Sequence, residues 1–217
     1  MLSQARIKSS IKESLAWVSL GRGARERVLL TFDDGPHPEA TPAALRLLKQ
    51  YNARAIFFVV GARIERAPHL LRQILDEGHA LGNHSFAHPN DGQPALSAYI
   101  KDLAKCQEHV EKLTGERPRF FRPPLGVFSI KSMVTPRLLG LKTVLWSVDA
   151  YDWGLKAEAD ALDAAERLKE RLAASPRRND IVLMHDDHPY VETILGAALP
   201  LLAAQGCDLH SALDHIR

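Results

Sequence analysis

The stretch whose reading decides the fold is Val28-Leu29-Leu30-Thr31-Phe32-Asp33-Asp34-Gly35-Pro36. Four apolar residues and one Thr form a short β-type run that meets two carboxylates and then a Gly-Pro turn signal. Neighbouring residues inside a strand point to opposite faces. Asp33 and Asp34 therefore share a site only where the strand has ended, and Gly35-Pro36 supplies that ending. The pair reads equally as turn residues bonding their own backbone or as two carboxylates gathered for chemistry. The second reading requires a cation or an Arg nearby.

Working outward, β-type runs recur at Ala55–Val60, His79–Gly82, Arg119–Phe121, Thr143–Val148, Ile181–Met184 and Cys207–Leu209. Helical patterns separate them at Thr41–Tyr51, Pro68–Glu77, Leu96–Leu113, Thr135–Leu139, Glu158–Ala174 and Val191–Ala204. This alternation predicts an α/β fold, a parallel sheet of seven strands with its helices outside, either doubly wound or an incomplete barrel. No glycine-rich dinucleotide or nucleotide-phosphate loop occurs. Ahead of the first strand, Ile7, Ile11, Leu15 and Val18 recur at helical spacing and Gly21 to Arg25 form a joint. The chain thus divides into an N-terminal helical extension, 1–25, and a domain, 26–217. The extension reads as a helix packed across the domain, as a membrane-surface contact or as a dimer seam.

Composition narrows the classes. The 217 residues carry 28 Lys+Arg against 26 Asp+Glu, a net +2, so no broad basic footprint for nucleic acid exists. The 46% hydrophobic and 25% charged content is that of a globular domain. No apolar run approaches the roughly 18 residues of a membrane span, and residues 1–20 lack a signal-peptide pattern, so the cytoplasm is the expected compartment. Cys106 and Cys207 stand alone and read as thiols rather than as a disulfide framework. The unusual count is ten His.

In parallel α/β architectures reactive groups gather at the carboxyl ends of the strands. The third run leads into His84-Ser85-Phe86-Ala87-His88-Pro89, two imidazoles four apart that one helical turn would put on one side. Neutral His nitrogens with an Asp make a three-ligand set for zinc or a similar ion, with open positions for water and substrate. The fourth run ends in Phe121-Arg122-Pro123-Pro124-Leu125-Gly126, where two prolines stiffen the turn behind a guanidinium. The fifth gives Asp149-Ala150-Tyr151-Asp152-Trp153 and the sixth Leu183-Met184-His185-Asp186. Any one of these reads as surface or core residues when taken alone. Five at five strand ends read as a site.

Together these five segments resemble the polysaccharide deacetylase family, the carbohydrate esterases of the NodB-homology type, over about residues 27–210. The resemblance implies a distorted (β/α)7 barrel and a hydrolase removing N-acetyl, in some cases O-acetyl, groups from an acetylated amino-sugar glycan with one divalent metal. By position it implies Asp34, His84 and His88 as metal ligands, Asp33 as general base and Arg122 as its partner. It implies His185 as general acid tuned by Asp152, Trp153 and Leu183 as walls for the acetyl methyl, and the Leu125 N–H as oxyanion donor. Ligand type favours zinc, while cobalt, nickel or iron fit the same set. The family's third motif usually has an aromatic where Leu125 stands. His37 and His188 read either as rim contacts or as ordinary loop histidines. The rival readings are an amidohydrolase on a non-sugar amide or imide and an inactive glycan-binding module.

Overall fold

The computed structural model describes residues 26–89, 95–127, 129–174 and 179–216, and the helix expected over 1–25 lies outside them. The strands are β1 (Val28–Asp33), β2 (Ala55–Val59), β3 (Ala80–Asn83), β4 (Phe120–Phe121), β5 (Lys142–Thr143), β6 (Val148–Asp149) and β7 (Asp180–His185). They pair in the order β5-β4-β3-β2-β1-β7-β6, every pairing parallel. Chain neighbours are sheet neighbours all the way round except at β5 and β6, which do not pair. The sheet is therefore a curled (β/α)7 barrel open along one seam. Of the two arrangements the alternation allowed, the incomplete barrel is the one formed.

The helices are α1 (Ala40–Gln50), α2 (Gly61–Ile64), α3 (His69–Asp76), α4 (Leu96–Thr114), α5 (Ile130–Leu138), α6 (Glu158–Ala174) and α7 (Val191–Ala204). Both faces of β1, β2 and β7 are buried, as in parallel sheets generally. Leu30, Phe32, Phe57, Val59, Val182 and Met184 face the helices and pack with Leu45, Leu48, Ile194 and Leu199. Leu29, Ile56, Phe58 and Ile181 face the barrel interior with Val144, and Ala212 and Leu213 pack against them. The period of two then carries chemistry upward. Thr31 and Asp33 continue the inward series begun by Leu29, and Leu183 and His185 continue that begun by Ile181. In the β1–β7 register Asp33 stands directly opposite His185.

Besides the added turn α2, the structure departs from the sequence expectation at three places, each for a physical reason. Thr143–Val148 is not one strand. The carbonyls of Val144 and Leu145 accept hydrogen bonds from Arg122 Nε at 3.0 Å and Nη2 at 3.3 Å, so they are withdrawn from any ladder. Cys207–Leu209 gives a single bridge, Asp208 to Arg27, because Asp208 Oδ1 accepts from the N–H groups of His210 and Ser211 and turns the chain. The helix expected from Thr135 begins at Ile130, capped by Ser129 and Ser132 in a reciprocal box, with Pro136 inside it.

Gly82 faces Phe58 across β2 and β3, and a Cβ there would come within 2.3 Å of the Phe58 ring. Replacing Gly82→Ala should therefore lower stability by about 1–3 kcal/mol through overpacking. The check is urea unfolding, with a shifted midpoint and an unchanged slope.

Candidate active site

Asp33 closes β1 and Asp34 follows in the left-handed region at φ 74°, so the chain swings round and both carboxylates serve one cavity. Asp33 Oδ1 accepts from Arg122 Nη1 at 2.8 Å, and Oδ2 lies 3.6 Å from His84 Nε2. Arg122 also donates through Nη1 to Thr31 Oγ1 at 2.8 Å, and Thr31 in turn donates to the Val182 carbonyl at 2.6 Å. The guanidinium stacks 4.3 Å from the Phe58 ring centroid and has no exposed surface. Burial raises the Asp33 carboxyl above its ordinary value, and the charge and hydrogen bond of Arg122 pull against that rise. The result is a carboxylate more basic than a solvated one, aimed by a fixed cation.

His84 leaves β3 with its Nδ1 2.9 Å from the Arg122 carbonyl. A carbonyl only accepts, so Nδ1 carries the proton and Nε2 presents its lone pair to Asp34 and His88. Burial pushes the His84 pKa down to about 3, which keeps the ring neutral and able to bind an ion. Residues 84–88 form a bend rather than the single helical turn that the spacing suggested, with Ser85 and His88 at positive φ. The bend is held from outside. Asp102 on α4 accepts from the N–H groups of Phe86 at 2.9 Å and Ala87 at 3.0 Å, and Asn83 Oδ1 from Ser85 N–H at 2.8 Å.

One ligand atom each from Asp34, His84 and His88 lies within 4.8 Å of the others. Asp34 Oδ1 is buried with no hydrogen-bond partner, although His88 Nε2 and His84 Nε2 approach to 3.1 and 3.7 Å. Three lone-pair donors converging without a shared proton fit a divalent cation, and the Asp-His-His set leaves further positions open.

Opposite stands His185, the residue expected as acid. His185 Nδ1 meets Asp152 Oδ1 at 2.6 Å and the His185 N–H donates to Asp152 Oδ2 at 2.9 Å. Burial alone would lower the His185 pKa, but the hydrogen bond and charge of Asp152 carry it up to about 9. Burial alone would raise the Asp152 carboxyl, but the hydrogen bonds and charge of His185, with His188 close by, hold it at about 2. His188 Nε2 lies 3.5 Å from Asp152 Oδ2, which places this histidine beside the His185–Asp152 pair. His37 is instead structural, its Nδ1 accepting from the N–H groups of Glu39 and Ala40 at the start of α1. Leu183 is buried beneath His185 in β7, whereas Leu125 (63% exposed, φ 56°) and Trp153 (65% exposed) stand out past the carboxyl ends of β4 and β6.

Several supports escaped the sequence reading. Thr31 was detectable as the one polar residue in an apolar strand, two positions before Asp33. Asp102 gives no such signal, being an ordinary acidic residue on a helix. Asp186 packs its carboxylate against Gly35 and accepts from Thr41 Oγ1, and burial raises its pKa to about 7.

A carboxylate and two imidazoles that fit a divalent ion, a buried carboxylate held by a guanidinium and an Asp-tuned imidazolium at the mouth of a parallel barrel are the groups that metal-assisted acyl transfer requires. The model of the family described as polysaccharide deacetylase matches residues 21–144. A peptidoglycan-N-acetylglucosamine deacetylase of Bacillus cereus is 36% identical over 184 residues, 82% of this chain and 83% of that one. A chitooligosaccharide deacetylase of Azorhizobium caulinodans is 36% identical over 176 residues, 78% of this chain and 80% of that one. The crystal structure of the Bc1960 peptidoglycan N-acetylglucosamine deacetylase, in complex with a substituted N-oxidanyl-benzamide, superposes with a TM-score of 0.78. It is 30% identical, and the match covers 92% of each chain. The chain belongs to the polysaccharide deacetylase family, and by class it is a sugar deacetylase acting on N-acetyl amide bonds. Among the described residues no helix is long and apolar enough to cross a membrane.

The raised His185 value has a signed consequence. The protonated ring is present below about 9 and lost above it, so a step needing His185 as acid declines on the alkaline side through that value. Asp152→Asn removes the charge that sustains the rise and should move the alkaline limb of kcat/KM to lower pH. The rate should fall by as much as the roughly 10²–10⁴-fold that acid catalysis contributes. A pH–rate profile of the two proteins checks it.

Proposed function

We propose that this chain hydrolyses the N-acetyl group of an acetylated amino-sugar oligo- or polysaccharide, with zinc at Asp34, His84 and His88. The observation that carries the reading is the pairing of Asp33 and His185 across β1 and β7, with the ion-binding set beside them. The substrates named for the relatives, peptidoglycan N-acetylglucosamine and chitooligosaccharide, support an N-acetylated sugar. A divalent ion bound there supplies Lewis acidity, polarising the acetyl carbonyl and lowering the pKa of water.

The protein's own residues do the rest. Asp33, held by Arg122 through one oxygen, keeps the other toward the ligand set and accepts the proton of the attacking water. Addition makes a tetrahedral oxyanion at the former carbonyl, toward which the Leu125 N–H donates. His185, charged through Asp152 on Nδ1, delivers its Nε2 proton to the departing amine, a group too basic to leave unprotonated. The C–N bond breaks, and acetate and the free amino sugar result. Leu183 and Trp153 bound the space for the acetyl methyl.

The test is acetate release from a series of N-acetylglucosamine oligomers, before and after chelation and with zinc restored. Wild-type protein should lose activity on chelation and regain it with zinc, and Asp33→Asn should fall by roughly 10²–10⁴-fold. Hydrolysis of small amides without any acetate from sugars would replace the substrate assignment, and glycan binding without turnover would replace the enzymatic one.

A further inference from the structure

Asp34 is a non-glycine residue in the left-handed region, a conformation that its surroundings have to support. What holds it comes from α2, the single helical turn after β2. Arg63 Nη1 donates to the Asp34 carbonyl and, at 2.8 Å, to Asp187 Oδ2. The same turn grips the other ligand loop through its backbone. Gly61 N–H donates to the Ser85 carbonyl at 3.0 Å and Ala62 N–H to the Phe86 carbonyl at 2.9 Å. A Cβ on Gly61 would lie 2.3 Å from the Phe86 ring, so the loop is seated directly on it. One helical turn thus touches both the turn that presents Asp34 and the bend that presents His84 and His88.

We infer that Arg63, oriented by Asp187, is a positioning residue for the metal ligand Asp34, and that α2 sets the spacing of the two ligand loops. The inference rests on reading Asp34, His84 and His88 as the ion's ligands. Arg63 and Asp187 are 32% and 28% exposed in their side chains, and an ion pair that solvent reaches in part contributes modestly to fold stability. Their effect is therefore on ion affinity, as for groups that orient ligands without touching the ion. Arg63→Met keeps the length of the stem but removes both donated bonds. Asp187→Asn leaves Arg63 in place with less to orient it.

The experiment uses the full chain, stripped of metal, with zinc affinity measured by competition against a chromophoric chelator and the thermal midpoint of the metal-free protein measured alongside. Arg63→Met should weaken zinc binding about 10–100-fold with the metal-free midpoint unchanged. Asp187→Asn should weaken it less, and the double variant should bind no worse than Arg63→Met, because both act through one carbonyl. Asp34→Ala is the reference, expected to abolish binding. If wild type and Asp34→Ala bind zinc alike, the ligand reading falls. If Asp34→Ala abolishes binding while Arg63→Met binds as wild type does, the ligand reading stands and this inference is overturned. A metal-free midpoint that drops with Arg63→Met would make Arg63 a structural residue and overturn it equally.

Discussion

Arg122 has no exposed surface, and a buried cation is costly unless its charge and its donors are all met. Here they are met on every side: Asp33 and Thr31 by Nη1, Val144 and Leu145 carbonyls by Nε and Nη2, the Phe58 ring across its face. Each of those partners is thereby fixed in place. Thr31 has to stand in the inward row of an otherwise apolar strand, Gly82 has to leave room for Phe58, and the segment between β5 and β6 has to turn its carbonyls inward. Even the tautomer of His84 follows, since its Nδ1 proton is taken by the Arg122 backbone. The setting of the Asp33 carboxylate, the tautomer of His84 and the open seam all go with a single enclosed guanidinium.

The second constraint is parity. Residues two apart on a strand share a face, so once Leu29 and Ile181 are committed to the interior, Asp33 and His185 must open into the same cavity. Their separation is set by the spacing of adjacent strands, not by loop conformation. The two groups are tuned in different ways: burial makes the carboxyl more basic, while Asp152 keeps the imidazole protonated. A base able to accept and an acid able to donate then coexist at one pH, as an addition–elimination sequence requires.

Much of this was legible in the residues. The Val28–Phe32 run, the Asp pair before Gly35-Pro36 and the polar clusters at successive strand ends predicted a parallel α/β sheet with its chemistry at the carboxyl ends. They did not separate a doubly wound sheet from an incomplete barrel, because the break between β5 and β6 goes with a long-range bond to Arg122 that no local pattern encodes. The HxxxH spacing predicted two imidazoles on one side but suggested a helical turn. Asp102 and Asn83 hold a bend instead, and tertiary hydrogen bonds override spacing. Asp102 and Arg63 were illegible for the same reason: each acts on a backbone group far away in sequence, through a side chain whose type is common on helices. His37 illustrates the converse, a histidine beside the Asp33-Asp34 turn whose Nδ1 is occupied at the start of α1.

The seam between β5 and β6 bears on how this protein could be engineered. An unpaired strand edge invites repair, and adding a ladder there is the first stabilising change a designer would consider. Yet the carbonyls of Val144 and Leu145 beside that edge already serve the guanidinium behind Asp33. Thermal hardening and turnover would compete for the same oxygen atoms, so selection for heat resistance should leave this edge alone and act on the helical shell.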